Sequence, residues 1–191
     1  MEFREGQIYH IYNQGNNLQK VFFNYKNYLY FINKVRKYVY PYCDILSYCL
    51  IPDQFNFLIH ANSITSAKDE RDRYFLSEGL RILLSSYCKG INVQEKRTGS
   101  LFRQNSQIKC LDINSYSAIA CFIYIHQKPN HYGVTNDLSE WDYSSYKDYA
   151  GLRNGSLCNM QLTYSLLGIE NKHIEYLQNL IIPEDLLKSI F

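Results

Sequence analysis

The chain has 191 residues, enough for one compact domain with an extension and for a core that needs no covalent staples. Its six cysteines show neither CxxC pairing nor zinc-ligand spacing, no secretory leader pattern opens it, and no apolar run approaches the roughly 20 residues that span a bilayer. These features point away from disulfide scaffolds, zinc modules and membrane spans, and the expected setting is cytoplasmic, with no membrane partner.

The net charge of +2 hides an asymmetry: residues 1–136 carry 16 Lys and Arg against 10 Asp and Glu, whereas residues 137–191 carry 4 against 8. The window 6–43 holds Lys20, Lys26, Lys34, Arg36 and Lys37 with no acid, and the window 96–111 holds Lys96, Arg97, Arg103 and Lys109 with none. Runs of one sign suit a polyanion, because each neutralised phosphate releases condensed counterions. A solvated helix face is the plainer account of the first window; two such windows in one domain favour nucleic acid. Nineteen tyrosines and ten phenylalanines supply rings that can stack unpaired bases, although most belong in strands and core.

In chain order, Gln7–Asn13 reads as a first strand ended by the turn Gln14-Gly15-Asn16-Asn17. A helix follows with Asn24 as N-cap and Tyr28, Phe31, Ile32 and Val35 as its apolar stripe, stopped by Pro41. Asp44–Leu50 and Gln54–Ala61 are strands joined at Ile51-Pro52-Asp53, and residues 62–73 form a polar loop. Leu76–Gly90 is a second amphipathic helix, ended by Gly90 or Asn92. Gly99–Leu111 is extended, as a fourth strand or a short hairpin. A third helix runs from Asn114, as N-cap, to Gln127 and is closed by Pro129. The rest, 151–191, reads as a helical extension to a domain spanning 1–150, with Pro183 as the first residue of one helix. Its Leu166, Leu167, Ile174, Leu177, Leu180 and Ile181 either pack on the domain or pair two chains as a homodimer.

Strand, helix, strand, strand, helix, strand is the order of a ferredoxin-like α+β domain: an antiparallel sheet with helices on one face and the other face open. Gln54 and Asn56 lie two apart on the third strand, so their side chains share a face, about 7 Å apart along it. By spacing alone they are polar residues on the wet side of the sheet. As metal ligands, two carboxamides offer only neutral oxygens that hold Mg²⁺ or Ca²⁺ weakly. On the third helix, Ser117, Ala120, Cys121, Tyr124 and Lys128 share a side. The small residues leave the Tyr124 phenol uncrowded and Lys128 sits one turn on, an arrangement in which a phenolate could attack a phosphate.

Tyr124-Ile125-His126-Gln127-Lys128-Pro129 is similar to the Tyr-Ile-His-x-Asn-Pro signature of the REP-associated tyrosine transposases, members of the HUH single-strand transposases. Further likeness lies in Tyr9-His10-Ile11-Tyr12-Asn13-Gln14-Gly15-Asn16-Asn17, Gly99-Ser100-Leu101-Phe102 and Tyr143-Ser144-Ser145-Tyr146, in the family's order over residues 6–150. Where that family carries His-hydrophobic-His, this chain has Gln54-Phe55-Asn56. The resemblance implies a ferredoxin-like fold and a tyrosine that attacks single-stranded DNA, leaving a 5′-phosphotyrosine and a free 3′-OH. It also implies a divalent metal held by the two histidines and by the polar residue four after the tyrosine.

Carried over by position, Tyr124 matches the nucleophile, while Gln54, Asn56 and Lys128 match the ligands and keep none of the family's residues. A lysine cannot ligate metal unless it is deprotonated. The expectation is a protein, or mobile-element remnant, that grips single-stranded or hairpin DNA without cutting it. No cofactor is expected, or Mg²⁺ or Mn²⁺ if the family chemistry survives. Candidate DNA contacts are Lys96, Arg97, Arg103, Lys109, Lys20 and Asn13, with Lys128 on a phosphate. The alternative is an active nickase using Tyr124, with Lys128 taking the metal's electrostatic role and the Gln54 and Asn56 amides as donors. His60 and His10 are further ligand candidates, or structural histidines.

Overall fold

The computed structural model describes residues 2–112 and 116–191. Strand β1 (Ile8–Gln14) leads through a 3-10 turn into helix α1 (Tyr25–Tyr38). Strands β2 (Asp44–Ile51) and β3 (Gln54–His60) form a hairpin, followed by α2 (Phe75–Gln94) and β4 (Gln107–Leu111). Helix α3 (Ser117–His131) comes next, then α4 (Tyr146–Tyr149), α5 (Met160–Leu167) and α6 (Glu184–Ser189), with a 3-10 segment at Asn171–Asn179. The sheet order is β2-β3-β1-β4 and all three pairings are antiparallel. This is the ferredoxin-like α+β arrangement that the element order predicts.

Local chemistry sets the helix boundaries. The Asn24 side chain accepts the Lys26 N–H at 3.0 Å, and Asn27 Oδ1 accepts the Asn24 N–H at 3.2 Å, so α1 starts where the sequence places its cap. Tyr28, Phe31 and Val35 bury its inner stripe. Gly79 brings α2 against the end of α1: a Cβ there would lie 1.9 Å from the Tyr38 carbonyl oxygen.

Three boundaries differ by a turn or more from the sequence reading, and Pro183 is the N-cap of α6 rather than its first residue. Helix α2 continues through Gly90 and Asn92 to Gln94, Gly90 making room for the Tyr30 ring. Helix α3 runs through Pro129 to His131. So close to the end of a helix, proline removes a single N–H, and the Tyr132 N–H still closes on the Lys128 carbonyl at 3.0 Å. The strand expected from Gly99 begins only at Gln107, since 99–106 is irregular apart from a bridge between Gly15 and Phe102. The proposed cap Asn114 lies outside the described residues.

Strand alternation divides the core in two. Tyr9, Ile11, Phe55, Phe57 and Ile59 meet α1 and α2 on one face, where each fully buried phenylalanine contributes about 1.5–3 kcal/mol. Ile8, Leu58, Leu46 and Cys49 meet Cys121, Phe122 and Ile125 of α3 on the other. The open face expected of the sheet is therefore covered. Ile174, Leu177 and Ile190 join that second core, so much of the C-terminal apolar set packs on the domain, while Leu180 and Ile181 stay exposed. Among the described residues, no helix is long and apolar enough to cross a membrane. The six cysteines are free.

Candidate nucleic-acid interface

Register assembles the site. Tyr12 pairs with Asn56 and Gln14 with Gln54 across β1 and β3; on the far side of β1, His10 pairs with Lys109 and Tyr12 with Gln107. His10, Tyr12, Gln54, Asn56 and Lys109 thus share the face that α3 covers. Gln54 and Asn56 are buried, not on a wet surface, because α3 lies over them.

A hydrogen-bonded chain crosses this face. His10 Nδ1 lies 2.9 Å from the Ile190 carbonyl, which can only accept, so this nitrogen carries hydrogen. Burial lowers the His10 pKa to about 4, so the ring is neutral and Nε2 is an acceptor. Nε2 sits 3.1 Å from Asn56 Oδ1, and Asn56 Nδ2 sits 3.5 Å from Gln54 Oε1. Two acceptors cannot share the first contact. A half-turn of both carboxamides, which exchanges O and N without changing shape, gives every contact a donor. Asn56 then donates to His10, Gln54 donates to Asn56, and the outer atom of Gln54, buried and without a partner, becomes a carbonyl oxygen. The amide pair is spent on His10 rather than offered as anion donors.

From α3, Lys128 and Tyr124 project towards this chain from adjacent turns. Lys128 is 3 % exposed, and its ammonium donates to the Tyr124 hydroxyl at 2.7 Å. Nζ lies 4.5 Å from the Tyr124 ring centre, 5.2 Å from that of Tyr132 and 5.9 Å from that of Phe191. Rings at this range offset part of the lost hydration. No ion pair to Lys128 occurs among the described residues, and desolvation lowers its pKa to about 8. Burial, followed by the neighbouring Tyr132, raises that of the half-buried Tyr124.

These side chains line a pocket of about 180 Å³ that also takes in Tyr12, Asn13, Gln14 and Arg103. Tyr124, Lys128 and Gln54 therefore meet at one place, with Asn56 behind Gln54. The divalent metal that the resemblance implies does not fit this donor set. A buried cation stands at one ligand position, and the Asn56 carboxamide is committed to His10. Among the described residues, no group of three His, Cys, Asp or Glu side chains could hold an ion. His60 lies towards Asp44, 3.6 Å away, and lines no part of the pocket.

The other candidate contacts disperse. Arg103 lines the pocket. Asn13 does too, although its amide is used on the Arg103 carbonyl and Ser106 Oγ, both at 3.2 Å. Arg97 lies in a separate groove beside α2, Lys109 is half-buried on β4, and Lys20 and Lys96 are exposed outside both concavities. Sequence reasoning missed Tyr132 and Phe191. Helical spacing puts Tyr132 one turn beyond Lys128, but only for a helix that passes Pro129; nothing in the sequence ties Phe191 to the pocket.

The remaining motif residues build the scaffold. His126 is buried, with Nε2 2.7 Å from Ser145 Oγ, and Ser145 in turn accepts the Tyr48 N–H at 3.0 Å. The Tyr143–Tyr146 stretch runs along β2, the Leu50 N–H donating to the Tyr143 carbonyl at 2.8 Å. This motif extends the sheet edge and ties it to α3.

No family model and no curated protein matches the sequence. Among solved structures, the chain is similar to a REP-associated tyrosine transposase bound to a REP hairpin, at 12% identity and a TM-score of 0.57, over 83% of this chain and 94% of that one. At this identity the likeness is one of fold: a four-stranded antiparallel sheet with helices packed against it.

Proposed function

We propose that this chain binds single-stranded or hairpin-bearing DNA through the pocket between the sheet and α3, with Lys128 on a backbone phosphate. One observation carries the reading: a buried ammonium without an ion pair among the described residues lines a pocket that also holds Arg103. An unpaired buried charge is costly and is at home where an anion completes it. The fold likeness to a hairpin-bound transposase supports the class of ligand. Fluorescence anisotropy with a labelled hairpin oligonucleotide tests it. Binding should weaken steeply with salt and fall at least tenfold in Lys128→Gln. Salt-insensitive or absent binding would instead mark a scaffold kept for protein contacts.

The 2.7 Å contact between Lys128 and Tyr124 favours a second reading, a metal-independent nickase. The neutral Lys128 amine would take the phenol proton as the phenolate oxygen bonds to phosphorus. The bond to the 3′ oxygen breaks, and the ammonium returns the proton to that oxygen. A covalent protein–DNA adduct that Tyr124→Phe abolishes distinguishes this reading from binding alone.

A further inference from the structure

A groove of about 910 Å³, several times the volume of the Tyr124 pocket, lies between α2 and the irregular segment leading into β4. Its cations are Arg81, Lys89, Arg97 and Arg103, and no Asp or Glu lines it. Arg81 is neutralised by Glu78 at 2.5 Å. Lys89, Arg97 and Arg103 have no ion pair among the described residues. Arg97 Nη1 is enclosed without a hydrogen-bond partner, while Nη2 donates to Gln19 Oε1 at 3.0 Å and so holds the guanidinium in place. The floor is apolar, from Leu80, Leu84 and Ile108. Arg103 and Asn105 line both this groove and the Tyr124 pocket, so the two concavities abut at these residues.

We infer that the α2 groove is a track for a single-stranded DNA extension leaving the Tyr124 pocket, its phosphates on Lys89, Arg97 and Arg103 and its bases against the aliphatic floor. This rests on the DNA-binding reading above and adds a second, separable surface to it. The occupant follows from charge and continuity. A cationic wall without acids takes a polyanion, and the shared Arg103 joins it to the phosphate position at Lys128. No aromatic ring is exposed in the groove, Phe102 being buried, so the track follows the backbone and has little preference for sequence.

The experiment compares a blunt hairpin with the same hairpin bearing a short oligothymidine tail. In the wild-type protein the tail should tighten binding roughly tenfold and steepen the salt dependence by about two phosphate contacts. The Lys89→Gln/Arg97→Gln variant should lose that gain while binding the blunt hairpin as before. Lys89 is exposed and has no ion pair among the described residues, so Lys89→Gln alone, which leaves the fold intact, should lose part of it. Lys37→Gln, which removes one charge outside the groove, should keep all of it. A tail without effect, or a gain that survives in the groove variants, overturns the inference while the Lys128 reading stands. Competition by polyglutamate as strong as by oligothymidine reassigns the groove to acidic peptide and overturns it too. If the blunt hairpin fails to bind and Lys128→Gln changes nothing, both readings fall.

Discussion

The Lys128 ammonium sits 2.7 Å from the Tyr124 hydroxyl, almost wholly out of water and with no carboxylate to balance it among the described residues. The hydrogen bond and the surrounding rings return to the ammonium only part of the hydration that burial removes. Burial lowers the lysine and raises the phenol, so the pair costs the free protein stability that an anionic ligand, on the proposed reading, would return. The tension belongs to a site where function and stability oppose each other.

Replacing the charge should therefore stabilise the fold. In Lys128→Met the buried cation becomes an apolar chain of similar length, and unfolding free energy at pH 7 should rise by about 1–3 kcal/mol in urea denaturation. The pH course fixes the sign. The folded pKa of Lys128 is about 8, below the ordinary 10.5, so the unfolded state binds more protons between these values. Wild-type stability gains from this group as pH rises through that window, and its gap to the Met variant should close there. A variant less stable than wild type at pH 7 would show that the ammonium holds the fold together.

DNA affinity should run the opposite way with pH. A phosphate beside Lys128 favours the ammonium, so its pKa rises on binding and the complex takes up a proton near and above pH 8. Anisotropy titrations at pH 7, 8 and 9 should show affinity falling as pH rises, and Lys128→Gln should flatten the trend. A fall of equal slope in that variant would place the titrating group elsewhere.

The metal question is open to a gain-of-function test. Lys128→Asn removes the repelling cation, and Gln54→His with Asn56→His restores two imidazoles on one strand face beneath α3. The triple variant should bind Mn²⁺ measurably, by electron paramagnetic resonance or calorimetry, whereas Lys128→Asn alone should not. A triple variant that binds no more metal than wild type would mean that the strand and α3 do not approach closely enough for a shared ion.

Strand parity put Gln54 and Asn56 on one face and helical spacing put Tyr124 beside Lys128, because each rests on a period the backbone enforces, whereas that the two pairs face each other was implied only by the resemblance to the transposases. Parity and spacing could not show that the amide pair is buried, since that follows from α3 packing over the sheet. Nor could they show what the amides do, which depends on Ile190, distant in sequence, fixing the His10 tautomer. Pro129 and Gly90 misled for a shared reason: each is a local breaker overruled where packing leaves room, Pro129 in a last turn and Gly90 beneath the Tyr30 ring. The charge windows located Arg97 and Arg103. Lys89 escaped because it stands between Glu78 and Glu95, outside the acid-free windows, and only the fold turns it into the groove.

Acid should expose the scaffold role of the motif histidine. His126 is fully buried against Ser145, and desolvation lowers its pKa to about 3; His10 is lowered to about 4. Both histidines lie below their unfolded value of 6.5, so as pH falls beneath it the unfolded state takes up protons first. Stability is lost from pH 6.5 down towards 4, and further to 3 for His126. Ser145→Ala removes the side-chain hydrogen-bond partner of His126 Nε2 and should cost about 1–3 kcal/mol at pH 7, with hairpin affinity unchanged. Thermal melts from pH 7 to 4, paired with anisotropy at pH 7, read both outcomes. A Ser145→Ala protein that is as stable as wild type but binds DNA poorly would move His126 from the scaffold into the binding site.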